Sequence, residues 1–252
     1  MAEKYPRHLK FESVSNFRDI GGYRARNGKA VAWRRVFRSG EFARITRGDF
    51  QRLMKEICPA AVVDLRSKLE IERQGIGLIS EAAIKYHNIA FIADGGEKSA
   101  DERRYEKFSN MGEFYLDLMS RREYGQRIIE ALEVIAGREN HPLVFNCAVG
   151  KDRTGILAAV LLSVLGVGDE DIIEDYSLSG PYMEEIKKKI ETGPHIDEDI
   201  KALPDFFWTA VPDAMALFLD SLRRDYGSIE GYLESMGGGT VLIERLQDAL
   251  LD

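Results

Sequence analysis

The sequence contains few cysteines and prolines and no long apolar run, and each absence excludes a class of protein. Two cysteines in 252 residues cannot build a disulfide scaffold, which favours a reducing compartment. Seven prolines without a Pro-, Gly- or Ser-rich stretch, together with 44% hydrophobic residues, exclude fibrous and disordered chains. The most apolar stretch, residues 156–167, is too short to span a bilayer, and residues 1–10 lack the apolar core of a signal peptide. We therefore expect a cytoplasmic protein without stable membrane insertion, with export lacking a signal peptide left open.

An excess of positive charge is also absent. The 35 Lys and Arg residues stand against 42 Asp and Glu residues, a formal net charge of −7. Non-specific nucleic-acid binders normally carry a basic surplus or stripe, so we expect no nucleic-acid partner. The four histidines are scattered without metal-ligand spacing, so we expect neither a metal nor another cofactor. An anionic substrate stays compatible with this charge, because a pocket can be locally positive inside an acidic protein.

Apolar and polar residues predict short strands alternating with helices, followed by a helical C-terminal part. The predicted strands are residues 11–15, 31–38, 60–65, 84–92 and 142–146, and the predicted helices run from Thr46 to Ile57, from Ser67 onward, over 124–136 and over 154–167. This order indicates an α/β fold with a central, mostly parallel sheet flanked by helices. We expect one domain, residues 1–252, with about 90–120 and 180–215 as insertions or as a lid.

The most informative segment is PLVFNCAVGKDRTGILAAVLL, residues 142–162. A buried strand leads into a short loop, and the loop leads into an apolar helix. Proteins of the α/β class bind anions at such a place, because loop N–H groups and the positive end of the helix point at one spot. Cys147 and Arg153 lie in this loop, separated by five residues. Their spacing alone is weak evidence, and their position between strand and helix makes the signal specific.

These residue types suit the cleavage of a phosphate ester in two steps. A thiolate at Cys147 can take the phosphoryl group first, since a helix N-terminus, N–H groups and a guanidinium all favour charged sulfur. Arg153 can bind two phosphoryl oxygens with its planar fork. The N–H groups of residues 148–153 can cradle the equatorial oxygens. Thr154 can offer a hydroxyl to the Cys147 sulfur when water hydrolyses the intermediate and the sulfur is the leaving group.

The loop CAVGKDRTG, residues 147–155, resembles the phosphate-binding signature of the protein tyrosine phosphatase superfamily. It is most similar to bacterial tyrosine and lipid phosphatases of atypical, dual or triple specificity. Further motifs of that group recur in order at Asn16 to Tyr23, Phe37 to Gly40, Val63 to Ser67, Asp175-Tyr176 with Ser179, and Tyr226 to Ser228 with Tyr232-Leu233. The likeness covers nearly the whole chain and is weakest over 90–120 and 185–215. It implies a tyrosine-phosphatase-like fold and a metal-free enzyme that acts through a phosphocysteine intermediate.

The resemblance also implies roles for single residues. Cys147 would be the nucleophile and Arg153 the phosphate clamp, with Asp152 and, ranked narrowly behind it, Asp64 as candidate general acids. The implied phosphate-binding residues are Ala148, Val149, Gly150, Lys151, Asp152, Arg153 and Thr154. Lys151 would favour substrates with additional phosphates, because a second cation lowers the cost of binding a polyanion. The implied partners are phosphorylated proteins (phosphotyrosine, then phosphoserine or phosphothreonine) or phosphoinositides, and the oligomeric state stays open.

Two departures from the superfamily stand out. Asn146 takes the place of the histidine that usually precedes the cysteine, which predicts a less stabilised thiolate and lower activity. No Trp-Pro-Asp triplet precedes the cysteine to supply a general acid. Leu203-Pro204-Asp205 and Val211-Pro212-Asp213 follow the cysteine instead, and we interpret both as helix starts.

Structural interpretations compete at several positions. Asp64 and Arg66 are about as well explained as a structural pair at a strand end. Arg18 and Asp19 are better explained as a scaffold for the Gly21-Gly22 turn, and Cys58 as inert core. The aromatic residues 206–208 would be core or, with the polar stretch 93–110, part of a lid.

Other functions compete with the phosphatase. A catalytically weak or dead phosphate-binding module would keep the loop, and Asn146 favours it. An arsenate reductase or sulfurtransferase would need redox cysteines beyond Cys58. The P-loop nucleotide hydrolases are excluded by Asp152 after Gly150-Lys151, where their motif has Ser or Thr, and a thiol protease would leave Arg153 without a role.

Overall fold

A computed structural model describes residues 5–91, 107–192 and 203–252. Five strands form one sheet in the order β1-β2-β5-β3-β4. The strands are β1 (Arg18–Asp19), β2 (Val36–Ser39), β3 (Ala61–Asp64), β4 (Lys85–Asn88) and β5 (Leu143–Asn146). Only β1 pairs antiparallel, and the other three pairings are parallel. The predicted α/β class with a mostly parallel central sheet is confirmed.

Ten α-helices within the described residues flank and extend the sheet. They are α1 (Arg47–Glu56), α2 (Lys68–Gln74), α3 (Met111–Ser120), α4 (Arg122–Ala136), α5 (Asp152–Val164), α6 (Asp169–Ser177), α7 (Gly180–Thr192), α8 (Pro212–Tyr226), α9 (Ile229–Met236) and α10 (Thr240–Leu250). Short 3-10 turns occupy Gly77–Glu81, Arg138–Asn140 and Asp205–Trp208. None of the helices in these three described ranges is both long and apolar enough to cross a bilayer.

The two faces of the sheet carry separate hydrophobic clusters, because successive side chains of a strand point to opposite sides. Leu143 and Phe145 of β5 join the larger cluster, formed with α3 to α6 and α8 to α10, whereas Val144 joins a smaller one formed with α1. Burial on both faces explains the continuously apolar strands, which are typical of parallel sheets. The alternation places Asn146, at the end of β5, on the same face as Val144.

Predicted helix starts agree with the structure where local chemistry determines them. Thr46 accepts a hydrogen bond from the Asp49 N–H, and Ser67 and Glu70 form a complete capping box on α2. Pro212 begins α8 as predicted. The motif at Pro204 begins only the four-residue turn Asp205–Trp208.

Three sequence-based expectations are wrong. Residues 11–15 are not a strand, because the Ser13 N–H bonds the Asp49 carboxylate at 2.7 Å and ties this segment to α1. The strand predicted over 31–38 begins only at Val36, since Arg34 has a φ of 63°, which breaks an extended run. Cys58 is exposed rather than core, with a φ of 50° in the turn after α1. The predicted loop at 93–110 lies outside the described residues as far as residue 106.

Candidate active site

The loop between β5 and α5 forms the centre of the site. Cys147 directly follows β5, and its side chain is 1% exposed, so it lies at the floor of the loop rather than on the surface. Gly150 has a φ of 71°, and a Cβ there would lie 2.6 Å from the Ser39 backbone. Only glycine fits this position, because the left-handed backbone and the close approach to β2 both exclude a side chain. The loop therefore has one conformation that β2 supports.

Anchored carbonyl groups orient the loop. The Ala148 carbonyl accepts from the Glu41 N–H at 3.2 Å, and the Gly150 carbonyl accepts from Asn16 Nδ2 at 2.8 Å and Arg38 Nη2 at 3.0 Å. In a trans peptide the N–H of the next residue points away from the carbonyl. The N–H groups of Val149 and Lys151 therefore point away from these hydrogen-bond partners, beside the N-terminus of α5, which has no side-chain cap. This arrangement suits an anion.

A buried charge cluster supports the loop from below. Asp175 of α6 accepts from Arg18 Nε at 3.0 Å and from Arg38 Nη1, and all three side chains are at most 1% exposed. Burial raises the pKa of Asp175, but the two guanidinium charges and their hydrogen bonds lower it far below its usual value. Burial and the charge of Arg18 lower the pKa of Arg38, whereas Asp175 and a thiolate at Cys147 raise it. The lowering effects are larger, so the pKa of Arg38 falls to about 10. Two cations share one carboxylate, so the cluster places net positive charge beneath the loop.

We predict that Asp175→Asn destabilises the protein by about 3 to 5 kcal/mol, because it leaves two buried guanidinium groups without their counter-charge. Denaturant unfolding at neutral pH measures this loss. The matched control is Asp169→Asn, which breaks a pair with Arg223 whose side chains are 30% and 34% exposed. Its cost should be about 1 kcal/mol or less. Equal losses in the two variants would contradict a structural role for the cluster.

Arg153 is held by the carboxylate of Glu70, which also completes the capping box of α2. Its Nη1 and Nη2 donate to Glu70 Oε2 at 2.6 Å and Oε1 at 2.8 Å. The Ser67 N–H donates to the same Oε2 at 2.8 Å, so the capping box of α2 also aims Glu70 at Arg153. A bidentate pair fixes the plane of a guanidinium. The Arg153 guanidinium is thereby oriented beside the loop, 13% exposed.

The Glu70–Arg153 pair predicts a loss of stability in acid. Burial raises the pKa of Glu70, but the charge and hydrogen bonds of Arg153 outweigh it and lower the pKa from 4.5 to about 2. The pair therefore contributes fully above about pH 4.5, and its contribution, at most about 3 kcal/mol, is lost as the pH falls towards 2. Glu70→Gln should flatten the decline of the unfolding free energy between these pH values. Parallel curves for the two proteins would contradict the pairing.

Asp152, the first candidate acid, lies in the first turn of α5, 16% exposed. The Tyr115 hydroxyl donates to its Oδ1 at 2.6 Å, and the Tyr176 hydroxyl lies 2.8 Å from that of Tyr115. Lys151 Nζ is 3.3 Å from the same Oδ1. The carboxyl group is therefore fixed at the rim of the loop and still reaches solvent.

Lys151 is directed away from solvent. Its side chain is fully buried, and its ammonium donates to the carbonyl groups of Phe207 and, at 3.0 Å, Thr209. The same nitrogen lies 5.0 Å from the centre of the Phe207 ring. The turn Asp205–Trp208 thus packs on the loop between β5 and α5, and Lys151 joins the two.

Asp64, the second candidate acid, lies in a closed ion pair at the end of β3. Arg66 donates to both of its oxygens, with Nη2 at 2.7 Å from Oδ2. The Tyr86 hydroxyl and the Arg66 N–H add bonds at 2.8 and 3.0 Å. The carboxylate is 2% exposed. Every one of these bonds stabilises its charged form, and the structural interpretation of the pair describes the geometry better than an acid does.

Two other loop residues have buried polar groups without a partner among the described residues. Both amide atoms of Asn146 and the Thr154 hydroxyl form no hydrogen bond with them. The Thr154 hydroxyl therefore does not bond the Cys147 sulfur in this conformation. Within the described ranges, no group of three or more His, Cys, Asp or Glu side chains is placed so that it could hold a metal ion.

Comparison with known proteins identifies the family. The tyrosine phosphatase family matches residues 9–252. This chain belongs to the tyrosine phosphatase family. This membership confirms the superfamily predicted from the loop motif and agrees with the predicted enzyme class, and the segment that carries the motif joins β5 to α5.

Individual relatives carry compatible names. A Cupriavidus necator protein named as a tyrosine-protein phosphatase is 33% identical over 67% of this chain and 61% of its own length. The triple specificity protein phosphatase PtpB of Mycobacterium tuberculosis is 24% identical over 94% of this chain and 96% of its own. A tyrosine-protein phosphatase of Nostoc commune is 26% identical over 73% and 64%. The chain thus spans less than two thirds of two of these three relatives.

Proposed function

We propose that this phosphatase hydrolyses phosphate monoesters through a phosphocysteine intermediate, with Cys147 as nucleophile and Arg153 as clamp. The observation that carries the proposal is the anchoring of the loop, in which Glu41, Asn16 and Arg38 bind the Ala148 and Gly150 carbonyl groups and leave the following N–H groups directed away from these partners. A phosphoryl group seated there would receive N–H donors on its equatorial oxygens and the thiolate in line. Residues 148–154 would bind the phosphate, and no metal is required for this step.

Asp152 is the proposed general acid in preference to Asp64. An acid must carry a proton and reach the leaving oxygen. Asp152 lies at the loop and is partly exposed, whereas Asp64 accepts at least four hydrogen bonds in a closed pair. In the second step Asp152 would take a proton from the water that attacks the phosphocysteine.

The proposed substrates are phosphotyrosine first, with phosphoserine, phosphothreonine and phosphoinositides as further substrates. The name of PtpB supports a broad specificity, and the depth of Cys147 favours an aryl ester, which reaches further than an alkyl ester. For a polyphosphorylated ligand, Lys151 would have to exchange the Phe207 and Thr209 carbonyls for phosphate oxygens. Lys151→Ala should then weaken polyphosphate hydrolysis and spare monophosphate hydrolysis.

Phosphate release from a phosphotyrosine peptide, a phosphoserine peptide and a phosphoinositide tests this function. The assignment of Asp152 as the acid is supported if the wild type turns over substrate and Asp152→Asn reduces this turnover. Asp64→Asn should change turnover only as far as it changes stability. Equal losses on mono- and polyphosphates for Lys151→Ala would remove the charge-selection argument. The alternative is a phosphate-binding module, which Asn146 in place of histidine favours. Binding of phosphopeptides without any release of phosphate across mildly acidic pH would support this alternative.

A further inference from the structure

Two buried tyrosines connect Asp152, the proposed acid, to helices α3 and α6. Tyr115 of α3 donates to Asp152 Oδ1 at 2.6 Å, and Tyr176 of α6 lies 2.8 Å from the Tyr115 oxygen. Tyr115 has one hydroxyl hydrogen, which it donates to Asp152, so its oxygen accepts from Tyr176. The geometry points to Tyr115 as a positioning residue for the acid: it holds Asp152 Oδ1 and thereby leaves Oδ2 to deliver the proton. This inference rests on the proposed function, in which Asp152 is the acid.

The two oxygens of Asp152 have different surroundings. Oδ1 receives the Tyr115 hydroxyl and lies 3.3 Å from the Lys151 ammonium. Oδ2 bonds no residue in the described part of the chain. A proton on Oδ1 would displace the Tyr115 donor and face a cation, so the proton of the neutral acid resides on Oδ2. The oxygen that carries the proton is therefore set by Tyr115 and Lys151.

Tyr115 is a fixed donor. Its side chain is fully buried, and its ring packs edge-on against Tyr176 and Phe218 at centroid distances of 6.0 and 6.1 Å. Burial and the charge of Asp152 raise the pKa of Tyr115 well above 10, so the hydroxyl keeps its hydrogen throughout the working pH range. The ring is therefore held between Tyr176 of α6 and Phe218 of α8.

The proposed role acts in the transition state of the first step. The bond between Cys147 sulfur and phosphorus forms while the bond from phosphorus to the leaving oxygen breaks, and the proton moves from Asp152 Oδ2 to that oxygen. Asp152 becomes a carboxylate as the proton leaves. The hydrogen bond from Tyr115 to Oδ1 strengthens as this charge develops, so it stabilises the transition state more than the ground state.

Aryl phosphates with leaving phenols of different acidity test this role. We measure kcat/KM, which reports the first step, for phenyl phosphate, 4-nitrophenyl phosphate and 2,4-dinitrophenyl phosphate. Tyr115→Phe should lower the value for phenyl phosphate about tenfold and the dinitrophenyl value less than about twofold, since the latter phenolate leaves without a proton. Tyr176→Phe should show the same trend with a smaller loss. Tyr232→Phe is the matched control, a buried tyrosine whose hydroxyl meets only the Met119 sulfur at 3.5 Å among described residues.

A double-mutant cycle separates this role from a structural one. Asp152→Asn should steepen the dependence on the leaving group, and adding Tyr115→Phe to it should cause no further steepening. A loss in Tyr115→Phe that is equal for all three substrates, while Asp152→Asn is steep, would overturn the positioning role alone. An Asp152→Asn enzyme with unchanged dependence would overturn the acid assignment itself, and absence of wild-type turnover would overturn the proposed function.

Discussion

Replacing Cys147 with serine should lower phosphatase turnover by at least about 10³-fold, because a serine hydroxyl is a much weaker acid than a thiol and stays protonated where a thiolate would attack. The substitution keeps the size and burial of the side chain, so folding should be preserved. Release of phosphate from 4-nitrophenyl phosphate measures the effect. Retained binding of inorganic phosphate by the variant would show that the loop is intact.

The second cysteine provides the control for this experiment. Cys58 is exposed in the turn after α1, at the end of the sheet opposite to Cys147. Cys58→Ser should leave turnover within about twofold of the wild type, since exposed positions contribute little to stability. Loss of activity in both variants would indicate redox chemistry between the two thiols and contradict the phosphatase mechanism.

Arg153→Lys should lower kcat/KM by about 10² to 10³-fold, although the positive charge is kept. A lysine ammonium cannot bind two phosphoryl oxygens in a plane, nor can it form the two parallel bonds to Glu70 that orient the guanidinium. Arg127→Lys, a change in an exposed pair with Glu130 on α4, serves as the control and should have no effect. An Arg153→Lys enzyme with wild-type kcat/KM would mean that charge alone suffices.

The chemistry of the loop was predictable from the sequence because it is contiguous. One strand, one turn and one helix carry both Cys147 and Arg153, so their proximity follows from local structure. The requirement for glycine at position 150 is also local in origin, although its contact with Ser39 of β2 is not. The fold class was predictable for the same reason, since alternating strands and helices are local signals.

The groups that orient the loop come from distant parts of the chain and could not be predicted in the same way. Glu70 completes the capping box of α2, and only the tertiary structure shows that the same carboxylate binds Arg153. Asp175 and Tyr176 belong to a recurring motif, but their partners Arg38 and Tyr115 lie on β2 and α3. Side-chain pairing across such separations depends on tertiary packing, which periodicity does not encode.

Local patterns mislead at residues 11–15 and leave two interpretations open at Asp64. Residues 11–15 are predicted as a strand, yet the carboxylate of Asp49 binds the Ser13 backbone and removes the segment from the sheet. Asp64 has the position of a catalytic carboxylate at the end of a parallel strand, yet Arg66 and Tyr86 close around it. In both places the hydrogen-bond partners become visible only in the folded structure.

The proposed mechanism transfers the phosphoryl group to the sulfur of Cys147. Mixing the enzyme with 2,4-dinitrophenyl phosphate, stopping the reaction with denaturant during the first turnover and digesting the chain tests it directly. Mass spectrometry should find one added phosphoryl group on the peptide containing Cys147, formed at the rate at which dinitrophenolate is released. Release of dinitrophenolate with the phosphoryl group on another residue, or on no residue at any time, would contradict the account.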